Sequence, residues 1–216
     1  MKKYKELLVR IAVLLVGLTI AHLGVTFFLM ADLGADPFNV LVQGIYRSLS
    51  KVTGWGFLTH GRIHITVCFL IIMVLLFVDR SYIKIGTLLC MICGGPIIDF
   101  FTMLLDGLKL EQSALPVKIV ILALGCVILA YGMTIVIKSD AGTGPNDLVA
   151  VVISDKIHKQ FGIVRIVVDF SFVLVGFLFG GVIGIGTIIC AFLVGPVAGF
   201  FLPVNGRLIE KIITRL

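Results

Sequence analysis

Long apolar runs alternate along the chain with short polar interruptions, and the interruptions recur in a set order. Apolar residues dominate 8–30, a stretch beginning at 57 or 63 and ending at 78, then 83–105, 115–137, 163–179 and 182–204. Most of these runs approach the roughly 20 residues that carry a helix across a hydrocarbon core of about 30 Å. Two shorter amphipathic stretches, 37–50 and 145–158, each follow a long run and each open on a proline, Pro37 and Pro145. Proline suits a first helical turn, where its missing N–H costs nothing. Gly34 and Gly142, three residues earlier, allow backbone conformations closed to other residues. The pattern predicts an all-α polytopic transmembrane bundle in which a short helix is broken twice from the span before it.

The two breaks are copies of one another. Asp32-Leu33-Gly34-Ala35-Asp36-Pro37-Phe38-Asn39 returns as Asp140-Ala141-Gly142-Thr143-Gly144-Pro145-Asn146-Asp147, and Gly24 matches Gly132, all at a spacing of 108. Further on the spacing is 100: Gly86-Thr87 matches Gly186-Thr187, Cys90 matches Cys190, Gly95-Pro96 matches Gly195-Pro196, and Phe100-Phe101 matches Phe200-Phe201. The chain therefore divides into a first membrane repeat (1–106), a polar linker (107–114), a second repeat (115–204) and a C-terminal segment (205–216). In that last segment Leu208, Ile209, Ile212, Ile213 and Leu216 share one face and Arg207, Lys211 and Arg215 the other. The pattern suits a helix lying in the headgroup plane.

Composition narrows the class. Hydrophobic residues make up 59% of the 216 and charged residues 14%, against about 45–50% and about 25% in a soluble domain, which excludes a soluble globule. The net charge of +6 is dispersed through short segments between the runs, so it points to positive-inside topology and not to nucleic acid. Lys2, Lys3, Lys5 and Arg10 precede a first run too long for a signal-peptide core, which makes that run an uncleaved span. The copies run parallel if the short helices cross the membrane. The 18 basic residues then divide 15 to 3, with Arg80, Lys84 and Lys138 outside. If the short helices re-enter, the copies are inverted and the division is 13 to 5, with Arg47, Lys51, Arg62, Lys109 and Lys118 outside. Charge favours the parallel arrangement, with both termini and the loops 51–62 and 156–165 in the cytoplasm. Cys68, Cys90, Cys93, Cys126 and Cys190 all stand in apolar runs, where cysteine acts as a small hydrophobe, and no disulfide framework is implied.

The candidate substrate or ion site is the pair of broken-helix motifs: Asp32, Gly34, Asp36, Asn39 and Gln43 from the first copy, and Asp140, Gly142, Thr143, Asn146 and Asp147 from the second. Non-helical backbone at membrane depth survives only where protein or water covers it, and half-helix starts in transporters face their substrates. The competing role for Asp32 and Asp140 is as helix caps at the water interface. His64, Asp99, Arg165 and Asp169 are secondary candidates, since ionisable residues inside spans are functional by default. Arg165 and Asp169 are four apart, so a structural ion pair between them is expected. Gly94-Gly95-Pro96 and Gly195-Pro196 read either as hinges or as close-packing positions. No metal-ligand spacing, nucleophile elbow or cofactor motif is present, so neither an enzyme nor a metal or cofactor protein is expected. The function expected is transport of a small molecule or ion, with a passive channel or a non-transporting scaffold as the alternatives.

Three motifs together, Gly34-x-Asp36-Pro37-Phe38-Asn39-Val40, Asp79-Arg80-x-Tyr82-Ile83-x-Ile85-Gly86-Thr87 and Asp99-Phe100-Phe101, give the chain a resemblance to the YczE/YitT group of bacterial integral membrane proteins. The resemblance covers nearly the whole length. It implies a multi-pass protein of the bacterial plasma membrane and carries no reaction with it. The second copy departs from the fuller pattern, with Gly144 where Asp36 stands.

Overall fold

A computed structural model describes residues 2–55, 58 and 60–214. Among them are eight α-helices and no strand: α1 (Lys2–Ala31), α2 (Pro37–Thr53), α3 (His60–Val78), α4 (Ile85–Leu105), α5 (Leu115–Ser139), α6 (Pro145–Ile157), α7 (Phe161–Leu178) and α8 (Ile185–Thr214). Short 3-10 turns at Arg80–Tyr82, Asp106–Leu108 and Leu110–Gln112 join α3 to α4 and α4 to α5. Five helices, α1, α4, α5, α7 and α8, are long and apolar enough to cross a membrane, and the apolar part of α3, Arg62–Val78, is slightly shorter. At 17 and 13 residues, α2 and α6 reach about 25 and 20 Å, short of a full crossing.

Glycine decides how the helices meet. A Cβ at Gly24 would lie 2.6 Å from the Gly125 carbonyl oxygen, and one at Gly132 would lie 2.7 Å from the Gly17 oxygen. The two backbones thus touch through positions where a side chain would hold them apart. Because the start of α1 faces the end of α5 and the end of α1 faces its start, the two helices are antiparallel. Elsewhere α4 runs with α1 (Gly86 by Leu14, Gly94 by His22), and α8 runs with α5 (Gly186 by Leu122). Gly162 packs on Gly195, which makes α7 antiparallel to α8, and Gly195 is a packing position accordingly. The corresponding α3 and α4 make no comparable contact.

This overturns the parallel arrangement, which needs α1 and α5 to run the same way. Ion pairs overturn it independently. Asp140 joins Arg10 (3.5 Å) and Lys84, while Lys156 lies 2.9 Å from Asp79. The parallel arrangement put Arg10 and Lys156 on one face and Asp79, Lys84 and Asp140 on the other. A margin of two basic residues between the two topologies is too thin to compete with interhelical packing.

The same geometry explains the short helices. Val40 and Gly44 of α2 meet Gly176 of α7, and Ser48 meets Phe179 beyond it, so α2 runs with α7. Since α7 opposes α8, which runs with α5 and against α1, α2 has the direction of α1. The chain must therefore double back through 32–36 before α2 begins. Likewise Leu148 and Val152 of α6 pack on Leu75 of α3, and Lys156 reaches Asp79, so α6 runs with α3.

Residues 205–214 continue α8 unbroken past Pro203, and do not start a separate helix. Asn205 and Ile209 are buried on its inner face, and Asn205 Nδ2 donates to Thr134 Oγ1 at 2.7 Å. Gly56 and Phe57 of the first loop, and Arg215 and Leu216 of the terminal face, lie outside the described residues.

Candidate functional site

The linkers after α1 and α5 share one conformation. Asp32 and Asp140 are left-handed at φ 49° and 58°, while Gly34 and Gly142 have φ of 136° and 138°. Each linker seats on the start of a helix from the other half of the chain. The Gly186 N–H donates to the Leu33 carbonyl at 2.9 Å, and the Gly86 N–H donates to the Ala141 carbonyl at 2.8 Å. At Gly34 a Cβ would lie 2.8 Å from the Gly184 Cα, and at Gly142 one would lie 2.8 Å from the Gly86 Cα. Both glycines are required twice over, by φ and by contact.

The starts of the short helices differ. Asp36 caps α2, its carboxylate accepting from the Asn39 N–H (3.2 Å) and from Asn39 Nδ2 (2.5 Å). In α6 the cap position is Gly144, with no side chain to offer, and Asp147 in the first turn turns outward to another helix. Its Oδ1 accepts from Arg165 Nη1 at 2.5 Å and from Asn146 Nδ2 at 3.1 Å. Arg165 Nε in turn donates to Asp169 Oδ2 at 2.9 Å. The expected i, i+4 pair is present, and it is one arm of a triad that ties the second motif to α7.

Asp169 stands at the middle of α7, with its side chain 1% exposed against 8% for Arg165 and 21% for Asp147. Its Oδ1 has no hydrogen-bond partner. Asp36 lies within electrostatic reach of Asp169, while both its oxygens are bonded by Asn39. His22 of α1 and Cys68 of α3 lie within the same reach of Asp147. Among the described residues no three His, Cys, Asp or Glu side chains are close enough to hold a metal ion.

The other predicted residues part company. Asp32 and Asp140 are exposed at the ends of antiparallel helices, so they stand at opposite ends of the bundle and do not share the central cluster. Asp140 instead anchors the Arg10 and Lys84 ion pairs. Gln43 accepts from the Val182 N–H at 2.8 Å, beside Arg47 Nη1 on the Gly180 carbonyl at 3.1 Å, and the polar face of α2 thereby clasps the α7–α8 turn. His64 meets the Phe38 ring edge-on at 5.3 Å. Asp99 is exposed on α4. Thr143 is buried in the wall of a cavity of about 330 Å³, which Tyr82, Lys84, Asp140 and Leu148 also line. This cavity opens at the end of the bundle that carries Arg10, Asp79 and Lys156.

Sequence reasoning missed His22, an ionisable residue inside the first span that carried the same signal as His64. It also passed over the threonines of the matched Gly-Thr pairs. Thr187 Oγ1 donates to the Ala35 carbonyl at 2.5 Å and accepts from the Gly184 N–H at 3.2 Å. Its counterpart Thr87, also fully buried, has a hydroxyl with no partner. The linker at the Asp32 end is thus latched, and the one beside the cavity is not. Outside the spans, hydrogen bonds from Ser81 and the Lys156 ammonium hold the Asp79 carboxyl down at about 2.

An all-helical bundle of long apolar helices with their large side chains facing outward is a polytopic integral membrane protein. The chain belongs to the family of unknown function DUF6198, whose profile matches residues 8–203. It is 29% identical over 212 residues to the uncharacterized membrane protein YczE of Bacillus subtilis, covering 98% of this chain and 94% of that one. An uncharacterized protein of Haemophilus influenzae is 29% identical over 201 residues, covering 92% of this chain and 85% of its own. YyaS, another uncharacterized protein of Bacillus subtilis, is 26% identical over 193 residues, covering 89% and 92%. The resemblance to the YczE group stands. No solved structure matches the chain.

Proposed function

We propose that the protein transports a small molecule or ion through a site between the starts of α2 and α6, in a bundle of two inverted, pseudo-symmetric halves. The observation that carries this reading is the Asp147–Arg165–Asp169 triad, with Asp36 beside it, buried at the middle of a spanning helix. Charged groups at that depth are costly and serve ion or substrate paths where they occur. Half-helices that start near mid-depth and leave by the face they entered from are the usual frame of such a site.

The unequal latches support an alternating mechanism. Two halves of matching sequence hold different states, bonded at Thr187 and unbonded at Thr87, and the cavity lies on the unbonded side. Exchange of the two states would move access from one face to the other. The reading places the protein in a bacterial plasma membrane with both termini and the cavity cytoplasmic. Basic residues then divide 13 to 5 in favour of the cytoplasm. The reading assigns no covalent chemistry and no partner besides the bilayer.

Flux into proteoliposomes tests it. Saturable, gradient-driven uptake supports a transporter, unsaturable flux a channel, and a co-purifying partner without flux a scaffold. Asp36→Asn and Asp147→Asn are expected to weaken substrate binding by about 1.5–3 kcal/mol each, the value of a charge-assisted hydrogen bond. Unchanged affinity in both would remove the site from this place.

A further inference from the structure

We infer that Asp169 is a proton-binding site, taking up and releasing a proton at Oδ1 at the centre of the bundle. Two carboxylates, Asp147 and Asp169, bond the single guanidinium of Arg165, and Asp36 lies within electrostatic reach of Asp169. A single guanidinium balances a single carboxylate, and an excess buried charge must be neutralised by a bound cation or a proton.

Geometry selects the atom. Among the described residues no three His, Cys, Asp or Glu side chains are close enough to share a metal ion, whereas a proton needs only one free oxygen. Asp36 has both oxygens bonded by Asn39. Asp147 Oδ1 is bonded twice, and that side chain is the most exposed of the triad. Asp169 is the deepest, and its Oδ1 has no partner while Oδ2 holds Arg165 Nε. An ionised carboxylate only accepts, whereas a protonated one carries an O–H on one oxygen.

Among the described residues, titratable groups facing the cluster include His22 on α1, Cys68 on α3 and Cys90 on α4, all toward Asp147, and Cys190 on α8, toward Asp169 and hydrogen-bonded to the free Cys126 of α5; His64 on α3 packs on Phe38, two residues from Asp36. The triad does not line the cavity, whose wall comes nearest to it along the chain at Thr143 and Leu148, on either side of Asn146 and Asp147. In the uptake step a hydronium gives its proton to Asp169 Oδ1 and leaves as water. One O–H bond of the hydronium breaks as another forms on Oδ1, nothing is oxidised, and the Arg165 charge is balanced by Asp147 alone while Oδ2 still accepts from Arg165 Nε. Loading and unloading therefore change how firmly α7 is tied to the start of α6.

The proton site stands on its own geometry, and only its coupling to cargo rests on the transport reading. The test is infrared spectroscopy of the protein in nanodiscs, following the protonated-carboxyl stretch as pH is stepped through the neutral range. One titrating band is expected in the wild type and none in Asp169→Asn. A band that persists in Asp169→Asn, or no band in the wild type, overturns the assignment. Asp169→Glu keeps the carboxyl one methylene further out, so it is expected to shift the midpoint, and an unshifted midpoint also overturns it. Repeating the titration with sodium in place of a bulky organic cation should leave the midpoint where it is; a displaced midpoint makes the site a metal-cation site instead. A pH gradient imposed on proteoliposomes separates the two claims. With the band present, collapse of the gradient supports proton movement through the site, and a gradient that holds leaves the proton site and overturns uncoupled proton movement through it, the transport reading being decided by cargo flux.

Discussion

The Lys156 ammonium lies 2.9 Å from the Asp79 carboxylate, joining the last turn of α6 to the first residue after α3. Asp140, at the head of the linker into α6, is bonded to Lys84, five residues beyond Asp79. The end of α5 and the end of α6 are thereby both tied to the α3–α4 connection, so α6 runs out to the same side of the bundle on which α5 finished.

That relationship sets the topology. Single cysteines placed in a cysteine-free background at positions 84 and 159 are expected to react only from the cytoplasmic side, and one at 51 only from outside. Membrane-impermeant maleimide on intact cells reads this directly. Cytoplasmic labelling at 51 would restore the parallel arrangement.

The same pair predicts an acid response. The Asp79 carboxyl is held at about 2, chiefly by Ser81 and then by Lys156, against an ordinary 3.8. A depressed carboxyl stabilises the fold fully above its unfolded value, and that contribution fades as pH falls toward the folded one. Melting temperature in detergent should therefore drop between about pH 4 and pH 2 in the wild type. Asp79→Asn should flatten part of that drop and start from a lower melting temperature at neutral pH. Identical profiles for the two proteins would show that the contact contributes nothing.

Gly34→Val and Gly142→Val are expected to destabilise or prevent folding. The backbone conformation alone costs a branched residue about 1–3 kcal/mol, and each new Cβ would press on Gly184 or Gly86 besides. Gly95→Ala is the contrast. Its backbone is helical and no atom beyond its chain neighbours lies within 4 Å of the added one, so the helical preference of alanine is offset by the restriction Pro96 places on the residue before it and the change should be near neutral. Thermal denaturation of the three proteins in detergent separates these outcomes.

The two threonines should answer differently to one substitution. Thr187→Val removes a bond to the Ala35 carbonyl and should cost about 1–3 kcal/mol, because a buried acceptor loses its donor. Thr87→Val removes a hydroxyl that has no partner and should cost little or nothing. Equal losses in melting temperature would mean that the two latches are alike and that the halves are in the same state.

Much of this protein was legible in the residues alone, because it depends on neighbours along the chain. The apolar runs marked the helices to within a few residues, except that α1 begins six residues before its run and α8 continues past its expected end. Pro37 and Pro145 marked the starts of α2 and α6, and Gly34 and Gly142 marked backbone that turned out to have positive φ. The Arg165–Asp169 pair followed from a spacing of one helical turn. What the tertiary structure decided lies between segments far apart in sequence. Whether α5 runs with or against α1 depends on Gly17 and Gly24 meeting Gly125 and Gly132, and no local preference encodes a direction. Asp147 could not be assigned to Arg165 from a separation of 18 residues, nor Thr187 to Ala35 from one of 152. Nor could the matched sequences distinguish their own copies. Asp32 and Asp140 look like site residues in the pattern and stand apart at opposite ends, while Asp147 and Asp169 meet at Arg165 only through the packing of α6 against α7. Short-range chemistry sets which helices form and where they stop. The depth to which a carboxylate is carried, and the partner it finds there, is set by how those helices pack.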